Sequence, residues 1–209
     1  MRESLTRWGR PYRIRVDNGA PWGSQGQLPP PLALWLVGLG IEVIWNHPHR
    51  PQENGVVERG QGVAAQWAEP QRCASVEQLA QHIQWAIHLQ RDHYPAIAGQ
   101  SRRQAYPALA TSGRPYRPDD EATEWNLDRV DQFLAQGVWQ RRVDKVGYIS
   151  LYNWSYSVGR AWTGQVVTVR FDPVPRAWVV SNIHGQEIKR HPTRELTRER
   201  ILAFNVSRK

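Results

Sequence analysis

Residues 47–62 read HPHRPQENGVVERGQG, and the fold turns on how this stretch is taken. Its first half, with prolines at 48 and 51 and an Asn54-Gly55 pair, has the chemistry of a stiff polar turn. Its second half opens a helix, VVERGQGVAAQWAEP, weakened by Gly60 and Gly62 and carrying Val56, Val63 and Trp67 on one side. Glu58 falls in the first turn of that helix.

Upstream, YRIRVDNG alternates Ile14 and Val16 with Arg13, Arg15 and Asp17, which predicts a strand ending at Asp17 and a turn at Asn18-Gly19. GSQGQLPPP is a loop whose prolines start a helix over PLALWLVGL, closed by Gly40. IEVIW is a short buried strand leading into residue 47. The order is therefore strand, Asp17, helix, strand, loop, and a helix bearing Glu58. Two carboxylates so placed can converge on divalent cations, which prefer oxygen ligands and, in pairs, polarise the attacking and leaving oxygens of a phosphodiester. Spacing alone leaves a second account open. Asp before Asn-Gly is common turn chemistry, and Glu in a first helical turn favours the helix dipole.

Downstream, Ser75 and Gln78 form a capping-box pattern ahead of VEQLAQHIQWAIHLQRDHY, in which Val76, Leu79, Ile83, Ile87 and Tyr94 keep helical spacing. From Pro95 to Glu124 the chain is rich in Pro, Gly, Ser and Arg and reads as an extended linker. GVWQRRV, GYISLY, WSYSVG, QVVTVRF, AWVVSN and QEIKRH are then short β-type runs between turn residues, the pattern of a small antiparallel barrel, with a terminal helix in TRELTRERILAF. The expected domains are 1–95, a linker over 96–125, and 126–209.

The formal net charge is +8. Residues 126–209 hold 14 Lys and Arg against 7 Asp and Glu, whereas residues 1–125 hold 13 against 12. The excess points to a polyanionic partner, and equally fits a basic soluble surface. PLALWLVGLGI is too short to span a membrane, and MRESLTRWGR lacks the apolar stretch of a secretory signal. A lone Cys73 fits a reducing cytoplasm and has no obvious activating partner. His47 and His49 form a weak H-x-H zinc pattern, and His88, Asp92 and His93 read as caps of a helix end.

IRVDNGAPW, LGIEVIWNHPHRPQENGVVERGQG and HYPAIAGQSRRQAYPALATSGRPYRP resemble, in this order, the integrase catalytic core of bacterial insertion-sequence transposases, over roughly residues 5–118. The resemblance implies an RNase H-like α/β fold and an Asp-Asp-Glu triad that uses Mg²⁺ or Mn²⁺ to cut and join DNA. Asp17 would be the second triad member and Glu58 the third, both holding metal. Asn18, Gly19, Arg50, Pro51, Gln52, Asn54 and Gly55 would form the loops around them. The first triad Asp belongs on an earlier strand, and only Glu3 precedes Asp17. The expectation is thus a partial core with its first strands missing and no strand transfer by this chain alone. Asp17 and Glu58 also stand a few residues further apart than is usual in the family, a surplus that fits GQLPPP.

GYISLYNWSYSVGRAWTGQVVTVRF is similar to the small SH3-like barrel that follows the core in several transposases. Arg141, Arg142, Arg160, Arg170, Arg176, Lys189 and Arg190 are its candidate DNA contacts, interleaved with Trp139, Trp154, Trp162 and Trp178, most of which should fill the barrel core. The expected partners are DNA and either a full-length transposase or a second copy, with no membrane, in a bacterial cytoplasm and at the nucleoid when DNA-bound. The alternatives are a non-catalytic DNA-binding remnant that modulates a full-length transposase, and a protein-binding barrel.

Overall fold

The computed structural model describes residues 1–23, 26–47 and 50–204, with all their side chains except those at 51 and 53. The chain opens with α1 (Arg2–Trp8), β1 (Arg13–Val16), α2 (Pro31–Gly38) and β2 (Glu42–Trp45). A 3₁₀ turn (Pro51–Asn54) then runs into α3 (Gly55–Ala68), followed by α4 (Val76–His88) and two short helices, α5 (Arg102–Ala105) and α6 (Glu121–Glu124). The rest comprises α7 (Leu127–Ala135), β3 (Val138–Arg142), β4 (Tyr148–Leu151), β5 (Trp154–Ser157), β6 (Val166–Asp172), β7 (Ala177–Ser181), β8 (Glu187–Pro192) and α8 (Arg198–Leu202). The protein is a mixed α/β chain that divides into two compact units.

The first unit comprises Met1–Arg2, Tyr12–Trp45 and Arg117–Lys209. β1 and β2 run parallel, with Arg13 opposite Glu42 and Val16 opposite Trp45. Parallel neighbours need a crossover, and α2 supplies it. That helix is apolar all round, as a fully buried helix must be, and Leu32 through Gly38 are all buried. Its C-terminal carbonyls are satisfied in a left-handed cap at Gly40 (φ 73°), where Ile41 N donates to Leu36 O and Gly40 N to Val37 O. The Trp125 indole donates to Trp35 O at 3.0 Å, and Arg129 and Asn126 N both donate to Gly38 O. A Cβ on Gly38 would lie 2.0 Å from the Trp125 indole nitrogen, so close packing requires glycine there. Beneath the helix, Glu121 accepts a fork from Arg2 and the indole N–H of Trp35.

The expected β-runs all form strands, but among the described residues they do not close into a barrel. β3, β6, β7 and β8 make an open antiparallel sheet in the order β3-β6-β7-β8, while β4 and β5 form a separate hairpin. The hairpin turns through Tyr152 (φ 50°) and Asn153 (φ 65°), the left-handed pair that a two-residue turn demands. Trp178 is fully buried against Trp139 and Phe171. Its indole donates to Glu195 Oε1 at 2.7 Å, and Tyr156 and Arg194 N also donate to that carboxylate. Burial, then the bond to Glu195, pushes the Tyr156 phenol above its usual range. Trp139 and Trp178 thus fill core as expected, whereas Trp154 is exposed beneath Arg200 and Trp162 is half-buried.

The second unit comprises Glu3–Pro11 and Asn46–Tyr116. Its frame is the pair α3 and α4, joined through Glu69 in the left-handed region (φ 47°). Ser75 Oγ caps α4 by accepting from Gln78 N, as its sequence predicts. The expected buried faces are largely open. Val56, Val76, Ile87 and Tyr94 are exposed, and each helix buries a single small residue, Ala68 or Ala86. The segment read as an extended linker holds short helices instead. Ser101 caps α5 in a reciprocal box with Gln104, and Ser101 and Tyr116 are buried.

Candidate functional site

Asp17 follows the last residue of β1 in the first unit, where the strand ends and its carboxylate is exposed. The next turn is held by Gly19 N donating to Gly23 O and Trp22 N to Gly19 O. Gly19 has φ 148°, in the region that favours glycine, whereas Asn18 lies exposed beside Asp17.

Glu58 lies in the first turn of α3 in the second unit, also exposed. The approach to it is fixed by a contact that sequence reasoning missed. Asn46, only 4% exposed, donates from Nδ2 to Asn54 Oδ1 at 2.5 Å, so the residue before the 47–62 stretch clamps the residue before α3. A polar residue directly after the apolar IEVIW strand was the available signal. Arg50 and Gln52 are exposed on this approach, and Arg50 N donates to His47 O. Pro51 starts the 3₁₀ turn, and His49 lies outside the described residues.

Gly55 has ordinary helical φ (−55°), so no left-handed backbone requires it. A Cβ on Gly55, Gly60 or Gly62 would meet nothing within 4 Å among the described residues. Gly55, Glu58 and Gly62 are spaced i, i+3 and i+7, which puts them on one face of α3. A carboxylate flanked by two bare backbone positions lets a bulky ligand approach closely, at a cost of roughly 1 kcal/mol of helix stability per glycine relative to alanine.

Asp17 and Glu58 make no ion pair or side-chain hydrogen bond among the described residues, so both carboxylates can accept a ligand. Hard oxygen donors of this kind suit Mg²⁺ or Mn²⁺. Among the described residues no cluster of three or more His, Cys, Asp or Glu forms a ready-made metal cage.

The candidate DNA-contacting side chains do not share one surface. Strand alternation places Arg142 and Arg170 on the outer face of the four-stranded sheet, and Arg141 and Lys189 on the other, opposite buried Val167 and Val180. Burial lowers the Arg141 guanidinium's pKa from its usual value. Arg176 is committed to the fold, forking onto the buried Asp131 at 2.6 and 3.0 Å and donating to Leu196 O. Arg190 pairs with both Asp172 and Glu187. Arg160 and Arg170 are exposed and have no ion pair among the described residues, and Arg142 makes one bond, to Gly164 O.

No known family model matches the chain.

Proposed function

We propose that this chain is part of a metal-dependent DNA strand-transfer enzyme of the Asp-Asp-Glu transposase class, with an RNase H-like core and an SH3-like DNA-binding sheet. The observation that carries the reading is the pairing of two motifs in order, VDNG at 16–19 and RPQENGVVER at 50–59. Their acids sit at a strand end and in a first helical turn, and both carboxylates lack protein partners among the described residues. Support also comes from the parallel β1-α2-β2 crossover, a strand-helix-strand unit of the kind that builds such α/β cores. Asp17 and Glu58 would hold Mg²⁺ or Mn²⁺. When bound, the metal supplies Lewis-acid polarisation of the scissile phosphodiester.

Within this reading the residues of the chain position rather than react. The Asn46–Asn54 clamp fixes where α3 begins, and Gly55 and Gly62 leave room for a phosphate backbone beside Glu58. Arg142, Arg160 and Arg170 supply phosphate contacts, and arginine suits them because its planar fork reads phosphate oxygens in pairs. The 209 residues provide two of the three acids that the class uses. Purified chain incubated with transposon-end DNA and Mg²⁺ or Mn²⁺ is therefore expected to bind DNA without joining strands. Joining that disappears on Asp17→Ala or Glu58→Ala would show that another group in this chain completes the site.

Arg160 and Arg170, exposed and without an ion pair among the described residues, also favour a second reading, a DNA-binding chain without catalysis that pairs with a complete transposase. Inhibition of strand transfer by such a transposase on addition of this chain supports that reading, and unchanged transfer rejects it.

A further inference from the structure

At the end of α4 the helix widens. Leu89–His93 form a π-turn, closed by Tyr94 N donating to Leu89 O at 2.8 Å. An α-helix sets residues five apart about 140° around its axis, so His88 and His93 would point away from each other. The i→i+5 spacing of the π-turn brings them onto one side, and such turns are over-represented at functional sites. The two Nε2 atoms stand 3.2 Å apart, with ring centroids at 4.9 Å and planes crossed at 77°.

The other side of His88 is equally defined. Its Nδ1 lies 2.6 Å from Asp92 Oδ2, and that carboxylate also receives Arg91 at 2.9 Å and Arg103 at 3.4 Å. Two guanidiniums thus hold the Asp92 carboxylate in place beside the His88 ring. Asp92 therefore fixes the His88 ring through Nδ1 and leaves its Nε2 edge turned toward His93. Carboxylate-oriented imidazoles of this kind are the usual arrangement behind a metal-ligating histidine.

We infer that His88 and His93 form a two-imidazole site for a borderline divalent transition ion, Zn²⁺ or Cu²⁺, on the exposed end of α4. Two nitrogens bonded to one ion at about 2.0–2.1 Å with a near-tetrahedral angle stand roughly 3.3 Å apart, close to the spacing already present. Imidazole nitrogen suits these ions better than Mg²⁺ or Mn²⁺, so the site is chemically separate from Asp17 and Glu58. On binding, the ion displaces to solvent the proton held between the two Nε2 atoms. His88 is 57% exposed at its side chain and His93 is exposed, leaving the remaining coordination positions to water.

The test is a Cu²⁺ titration of the full chain, purified without a histidine tag, followed by electron paramagnetic resonance and by calorimetry. The expected result is one site per chain with hyperfine splitting from two nitrogens. His88→Ala and His93→Ala should each remove the two-nitrogen signature and weaken binding about tenfold or more, and Asp92→Asn should weaken it by about 10–100-fold. His82→Ala should change neither, and His93→Gln with an unaltered circular dichroism spectrum should still lose the signature. The inference is overturned if the wild-type chain shows no two-nitrogen site, or if His93→Ala binds with unchanged affinity and spectrum.

Discussion

Two helices have opposite fates in this molecule, one apolar all round and one only half apolar. α2 buries Leu32 through Gly38 and has its C-terminal carbonyls satisfied by a glycine cap, an indole and a guanidinium. α3 is longer, at 14 residues, yet buries only Ala68, with Val56 86% and Val57 59% exposed. α2 is held by tertiary packing. α3 rests more on its own backbone, on its pairing with α4 and on the Asn46–Asn54 clamp. The difference assigns stability to the first unit and access to the second, and access is what an acid that must receive a ligand needs.

The largest expected effect is in the packed unit. Trp178→Ala removes a fully buried indole in contact with Trp139 and Phe171 and leaves Glu195 short of a donor, so it should cost about 3–5 kcal/mol. Val56→Ala in α3 should change stability by no more than about 0.5 kcal/mol. Urea unfolding of the two variants compares them directly, and equal losses would erase the contrast.

Next comes the buried ion pair. Asp131→Ala leaves the Arg176 guanidinium without its fork and should cost about 2–3 kcal/mol, toward the lower end for buried pairs because Arg176 is 29% exposed. Arg160→Ala and Arg170→Ala should leave unfolding unchanged. Each should instead weaken DNA binding and lower the slope of log affinity against log salt by about one. An Arg176→Ala variant that alters the salt slope while keeping full stability would reverse the assignment of these arginines.

Much of the first unit is legible in its sequence. Pro-start and Gly40-stop bracket α2, alternation marks β1 and β6, and turn residues separate the strands of the sheet. α7 was equally signalled but goes unread in the pattern of β-runs, although Asn126 caps it and Val130 and Leu134 form its buried stripe. The arginine faces are not legible from composition, because a one-residue step in register sends Arg141 and Arg142 to opposite sides. Nor is the openness of α3 and α4. Helical spacing of Val76, Leu79, Ile83, Ile87 and Tyr94 announces a face, but only tertiary contacts decide whether that face is covered. The motifs around Asp17 and Glu58 are local, which is why they stand out in the sequence. The Asn46 clamp and the His88–Asp92–His93 network depend on a turn and a π-turn that no period announces.

A smaller effect sharpens the contrast from the other side. Gly60→Ala and Gly62→Ala fill open space in α3 and should each stabilise the second unit by roughly 0.5–1 kcal/mol, read by hydrogen exchange of α3 amides. Gly62→Ala should also weaken DNA engagement beside Glu58, whereas Gly38→Ala in the packed unit should destabilise through its clash with Trp125.

The smallest expected effect is on pH. A carboxyl held below its usual range stabilises the fold above that range and loses the contribution as pH falls toward its depressed value. Exchange protection around the π-turn should therefore decline on acidification below the ordinary carboxylate range, and Asp92→Asn should remove that dependence.

The most direct test of the functional account is Mn²⁺-induced broadening of amide resonances in the isotopically labelled chain with DNA present. If Asp17 and Glu58 take up the divalent cation, substoichiometric Mn²⁺ should broaden the amides around 16–19 and around 55–62, and Asp17→Asn and Glu58→Gln should each abolish the effect at its own segment. Broadening absent from either segment, or unchanged at a segment whose acid has been replaced, would contradict it.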